Sequence, residues 1–240
     1  MTTTPGRTAP STVPAMLLCL ALAFGCAQRG YLQSATHSIE KKDYASAVTY
    51  LELGAQDGDR RCAYVLGAIL ISGEGVEPDL SEGTRWMREA AEAELPVAQA
   101  YLGTLYANGE GVEQKPSTAA EWYRRAAEYG NPLGQAALGA ALFYGVGVPA
   151  DPVEGYMWTQ LAADQGFSKA ISNLSEMSGA LTEAERKQAE RQVARFHPKE
   201  NAGPDPNFAT NNRRSRPTNH VRRAGQARAF GSAARSAAGF

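Results

Sequence analysis

The 240 residues carry 24 Lys and Arg against 25 Asp and Glu, a formal net charge of −1, but residues 27–195 hold 15 basic and 23 acidic side chains and residues 196–240 hold 8 and 2. An acidic body followed by a basic stretch excludes one electrostatic partner for the whole chain, so partners are argued separately for each part. Three cysteines with no CxxC spacing exclude a cysteine-built metal site.

Residues 1–25 read as an export signal. Arg7 supplies a short positive region, and Met16–Phe24 forms an apolar run too short to remain as a membrane-spanning helix. The run ends in Ala23-Phe24-Gly25-Cys26, which resembles a bacterial lipobox; the resemblance implies lipid attachment at Cys26 and, with Ala27 rather than Asp following, sorting to the outer membrane. The alternatives are an ordinary secretory signal cut nearby and a start at Met16. With Cys19 removed and Cys26 lipidated, Cys62 is left without a disulfide partner in the body.

Next comes an atypical unit over residues 31–58. Lys42-Asp43-Tyr44-Ala45 resembles the tight turn of an ordinary tetratricopeptide repeat and predicts helices near 31–41 and 44–56. From residue 59 the chain repeats itself at a shift of 36. Trp86, Trp122 and Trp158 superimpose. So do Leu66-Gly67, Leu102-Gly103 and Leu138-Gly139, the three GxGV segments starting at Gly73, Gly109 and Gly145, and the Ala pairs at 90, 126 and 162. Three full units follow, at 59–94, 95–130 and 131–166.

Each unit predicts two antiparallel helices, the first over about 59–72, 96–108 and 132–144 and the second over about 80–93, 116–129 and 152–165. Gly67, Gly103 and Gly139 sit mid-helix, where Gly costs about 1 kcal/mol relative to Ala; the recurrence predicts a partner helix too close for a β-carbon. Asp79-x-x-Glu82 and Asp151-x-x-Glu154 predict capping boxes, Lys115 predicts a weaker start in the middle unit, and Gly130 and Gly166 predict helix stops that Glu94 lacks. Tyr50 falls one period before Trp86, and the ladder Tyr50, Trp86, Trp122, Trp158 predicts a core spine. After an atypical unit at 167–196, closed by a helix opening at Thr182, residues 197–240 form an Arg-rich tail expected to be disordered.

The LG, GxGV, Trp and Ala-Ala positions resemble the Sel1-like repeat family, a longer-looped relative of the tetratricopeptide repeat. The resemblance implies an all-α, right-handed α-solenoid of helix-turn-helix repeats, with the first helix of each unit lining a concave groove for protein partners. Carried over by register, the groove positions are Arg61, Tyr64, Ile71, Asn108, Phe143 and Tyr144.

Catalytic readings find little purchase. Cys62 shares its register with Ala98, Gly134 and Ala170, a slot for small buried side chains. His37, His197 and His220 have no partner at a metal or triad spacing, and the GxGV runs join helix to helix and lack a following Lys-Ser/Thr. No catalytic residue, metal or cofactor is expected.

The expected function is an envelope adaptor, tethered through Cys26, that holds envelope proteins in its groove; nucleic acid is not an expected partner. A second reading is a peptidoglycan- or glycan-binding module using the basic tail on an anionic polymer. Relatives associated with β-lactam binding or hydrolysis carry paired cysteines in each repeat, which this chain lacks.

Overall fold

The computed structural model describes residues 30–200, so the export signal, Cys26 and residues 201–240 lie outside the described residues. Ten helices and no strand occur among the described residues: α1 (30–40), α2 (Tyr44–Gln56), α3 (Arg60–Ser72), α4 (Leu80–Glu92), α5 (Pro96–Asn108), α6 (Pro116–Glu128), α7 (Pro132–Tyr144), α8 (Pro152–Asp164), α9 (Ser168–Ala180) and α10 (Glu183–Val193). From α2 to α9 each helix packs on the next, and α10 returns to pack on α8. The result is an all-α solenoid.

Helix ends follow local chemistry. Asp79 and Asp151 accept from the backbone N–H of Glu82 and Glu154, each at 2.9 Å, while Lys115 caps nothing and leaves α6 to start on Pro116. The expected reciprocal half of those two capping boxes is not made. The Glu82 carboxylate goes to Arg85 instead, and Glu154 accepts from Arg124 at 2.8 Å and from the Trp158 indole at 3.0 Å. A full-strength charge pair outcompetes a contact to one backbone N–H. Both halves of a capping box form at Thr182 and Glu185.

The GxGV segment reverses the chain with two left-handed glycines. The first closes the helix, and the second brings the loop against the start of the preceding unit's second helix. A β-carbon on Gly147 would lie 2.3 Å from the Pro116 carbonyl carbon, and one on Gly111 would lie 2.8 Å from the Leu80 carbonyl oxygen. The loop is thus an inter-unit joint.

At the close of α4, Glu94 takes φ 59°, where the equivalent stops Gly130 and Gly166 take 79° and 80°. A β-carbon is disfavoured in this region. Glu94→Gly is therefore expected to raise stability by about 1 kcal/mol; an unchanged or lower denaturant midpoint would contradict the strain argument.

The core runs along the repeat. Leu66, Leu102 and Leu138 are fully buried, each contributing about 1.5–3 kcal/mol. Behind them the mid-helix glycines meet the facing helix: a β-carbon on Gly67 would lie 2.8 Å from the Gly83 carbonyl oxygen, and one on Gly139 would lie 2.8 Å from that of Gly155. The predicted close approach is present.

The aromatic spine is not uniform. Trp86 and Trp158 are buried, Trp122 is half-buried beneath the Arg125 guanidinium, and Tyr50 is 37% exposed. Tyr50 therefore leaves the predicted spine. Phe196 packs edge-on against Trp158 at 5.1 Å, whereas no aromatic ring among the described residues covers Tyr50. Two buried glutamines, also 36 residues apart, form a polar staple between units: Gln99 donates to the Ala91 carbonyl at 3.2 Å and Gln135 to that of Ala127 at 3.4 Å.

Candidate partner-binding face

The first helices α3, α5, α7 and α9 keep one stripe of side chains accessible. Its positions are spaced four, three and four residues apart, which places them on a single helix face. On α3 these are Arg61, Val65, Ala68 and Ser72; on α5 they are Val97, Tyr101, Thr104 and Asn108. On α7 they are Leu133, Ala137, Ala140 and Tyr144, all half-buried or exposed. The intervening positions, among them Leu66, Leu102 and Leu138, turn into the core. Because α5 touches α7 and α7 touches α9, these stripes lie side by side, and on α3 Tyr64, next to the stripe, neighbours Tyr101 of α5.

Three of the six predicted groove residues fall on this stripe. Arg61 forms a paired contact with the N-cap carboxylate of Asp59, at 3.0 and 2.9 Å. Burial pulls Asp59 upward, but the Arg61 guanidinium and the backbone N–H groups of Arg61 and Cys62 outweigh it and hold the carboxyl below its usual range. Asn108 donates to Glu110 at 3.1 Å, and its carbonyl oxygen is buried with no hydrogen bond among the described residues. Tyr144 is 51% exposed and donates to Glu176 on α9 at 3.0 Å.

The other three sit one position off the stripe. Tyr64 shares its register with the buried Ala100 and Ala136; burial, then the neighbouring Tyr101, pushes its phenol up. Ile71 packs against Gly83 of α4. Phe143 is half-buried and meets the Tyr144 ring edge-on at 5.1 Å. Looking for departures from the repeat consensus missed Tyr101, an aromatic centred on the stripe. Its signal was available: position 101 is four residues after Val97 and seven before Asn108, on the same face.

Among the described residues no group of three His, Cys, Asp or Glu side chains could hold a metal ion, and no helix is long and apolar enough to cross a membrane. Cys62 is fully buried, and burial, with the Asp59 carboxylate adding to it, pushes its thiol up to about 12. A thiol so raised is un-ionised in the folded chain, so Cys62 should resist alkylation at pH 8 until denaturant is added; modification at the rate of a free thiol would refute this. The raised value also means that its stabilising contribution holds below about pH 9 and is lost as pH rises towards 12.

This geometry, a stack of 36-residue helix pairs with one shared face, matches known proteins. Residues 23–59, 60–95, 96–131 and 132–167 each match the Sel1 repeat. The chain belongs to the Sel1 repeat family. Four repeats are matched where the internal 36-residue register shows three. The additional Sel1 repeat ends in α1 and α2, which are joined by a tight turn through Lys42 at φ 61° instead of a GxGV loop.

Among solved structures, a protective antigen of uropathogenic Escherichia coli with an SLR fold aligns with a TM-score of 0.64 at 28% identity, over 70% of this chain. The chain spans 37% of that antigen's length. A Sel1 repeat protein from Oxalobacter formigenes is 40% identical over 52% of this chain and 95% of its own, with a TM-score of 0.49. No curated protein matches the chain. Sel1 repeat proteins generally mediate protein–protein interaction, typically as scaffolds without catalysis.

Proposed function

We propose that this Sel1 repeat protein is an adaptor of the bacterial cell envelope, tethered through a lipidated Cys26, that holds protein partners on the shared face of its first helices. The observation that carries the adaptor reading is the accessible stripe through α3, α5 and α7. It combines the aromatic rings of Tyr101 and Tyr144 with the apolar Val65, Val97 and Leu133 and the polar Arg61 and Asn108. Aromatic anchors ringed by polar groups are the composition of interaction hot spots. The envelope setting rests on the Met16–Cys26 segment of the sequence.

The test compares crosslinked co-purification from envelope membranes for the wild-type chain and a Tyr101→Ala/Tyr144→Ala double variant. A defined protein recovered with the wild type should be lost with the double variant while helical content is unchanged. Equal recovery would remove the stripe from consideration. Loss only on deletion of residues 201–240 would instead favour an anionic envelope polymer as partner of the basic tail. Failure of globomycin to alter maturation, or of Cys26→Ala to release the chain from membranes, would remove the lipid tether.

A further inference from the structure

The two glutamine staples are not equally satisfied. Each donates its amide N–H to the end of the preceding second helix, which fixes the other amide atom as the carbonyl oxygen. Gln135 Oε1 accepts from Gln165 Nε2 at 2.7 Å. Gln99 Oε1 is buried, in a residue only 2% exposed, and accepts no hydrogen bond among the described residues. The reason is one substitution within the repeat. The position that holds Gln165 in one unit holds Tyr129 in the unit before, and the Tyr129 phenol lies beside Glu94; burial, then that carboxylate, pushes it up.

Gln99 lines a pocket of about 200 Å³ together with Glu92, Glu94, Glu128, Tyr129 and Lys199. Three of its charges are already engaged: Lys199 pairs with Glu128, and Arg125 at the rim lies 4.6 Å over the Trp122 ring. Glu92, and Glu94 beside the Tyr129 phenol, stand around a buried acceptor. The pocket therefore favours a ligand that is cationic and donates hydrogen bonds. A guanidinium suits it, since its five N–H groups can pair with a carboxylate and still reach a carbonyl oxygen.

The chain itself carries such groups in its sequence beyond α10. Beyond α10, Pro198 lies against Gly130, and the Lys199 backbone N–H donates to the Glu128 carbonyl at 2.8 Å. The polypeptide thus leaves the described body at the pocket's edge. Arg213 follows fourteen residues after Lys199, and residues 213–235 carry seven arginines and no lysine. Fourteen residues reach at most about 45–50 Å, and the short connection keeps the local arginine concentration on the order of millimolar.

We propose that this pocket takes an arginine side chain from residues 213–235 of the same chain, its guanidinium donating to Gln99 Oε1 and pairing with Glu92 and Glu94. The site lies at the ends of the second helices, so it is separate from the face argued above and independent of what that face binds.

The test uses the full chain with photo-reactive benzoylphenylalanine in place of Tyr129, irradiated and mapped by mass spectrometry. The expected product is an intramolecular crosslink to residues 201–240. Its yield should fall about tenfold when the seven arginines are changed to Gln, the factor carried by one charge-assisted hydrogen bond. An unchanged yield from the Arg-free chain overturns the proposal, as does a crosslink to another polypeptide or no crosslink. Mixing isotopically light and heavy chains identifies a second copy as the occupant, which also overturns it.

A second measurement leaves the pocket free of the probe. Tyr129→Gln supplies the donor that Gln165 supplies one unit later, so trypsin should cleave after the tail arginines faster than in the wild type. Equal cleavage rates overturn the proposal.

Discussion

Gly139→Ala is expected to lower stability by about 2–3 kcal/mol, which for a domain of this size lowers the thermal midpoint by roughly 4–12 °C. A β-carbon there would lie 2.3 Å from the Thr159 hydroxyl, 2.8 Å from the Gly155 carbonyl oxygen and 2.9 Å from the Thr159 backbone nitrogen. The hydroxyl can rotate away, but the two backbone atoms move only if α7 and α8 separate. Helix propensity acts in the opposite direction, favouring Ala by about 1 kcal/mol, and is outweighed by that separation. Gly103→Ala provides the comparison. Its nearest contact is the Tyr123 ring at 2.7 Å, a side chain able to shift, with backbone no nearer than the Ala119 carbonyl oxygen at 3.2 Å. Its cost should be smaller, about 1 kcal/mol. Thermal unfolding followed by circular dichroism checks both. Equal midpoints for the two variants would show that the backbone contact does not set the helix spacing.

Trp158→Ala should cost more, about 3–5 kcal/mol. The ring is 5% exposed, its N–H donates to Glu154 at 3.0 Å, and Phe196 packs edge-on against it. Glu154 also accepts from Arg124 of the preceding unit, so the loss reaches across an inter-unit contact. Because Phe196 follows α10 and α10 packs on α8, amide exchange in residues 183–196 should accelerate more than in α3 or α4. Trp122→Ala should cost less, about 1–2 kcal/mol, because that ring is only half-buried. Chemical denaturation of the two variants decides the order. A larger loss at Trp122 would restore the uniform spine that the spacing alone predicts.

The repeat was legible because its signals are either local or periodic. The limits of α3 to α8 fall within a residue or so of those predicted, since Asp79, Asp151, Pro116 and the left-handed glycines act on their own few backbone groups. The glycine pattern even indicated where two backbones would touch. The six groove positions expected from register fall on two neighbouring lines of their helices. Arg61, Asn108 and Tyr144 lie on the accessible stripe, while Tyr64, Ile71 and Phe143 are one residue away, half-buried against the core clusters. A shift of one position turns a helical side chain by about 100°, and a list of unusual residues does not specify that angle. Tyr101 was overlooked for the same reason.

By itself, the sequence determined the 36-residue unit, the helix pair within it and the membership of the Sel1 repeat family. The first two follow from apolar period, cap chemistry and glycine placement, and the third from the likeness of the LG, GxGV, Trp and Ala-Ala positions to that family. Only the tertiary structure decided how equivalent positions differ. Trp158 is buried and Trp122 is not, Gln135 is satisfied and Gln99 is not, and Glu82 and Glu154 pair with arginines instead of closing their capping boxes. Their registers coincide, but their neighbours do not. Burial and hydrogen bonding depend on what the adjoining helix or the returning chain places against a side chain, and stacking supplies those neighbours from outside the repeat.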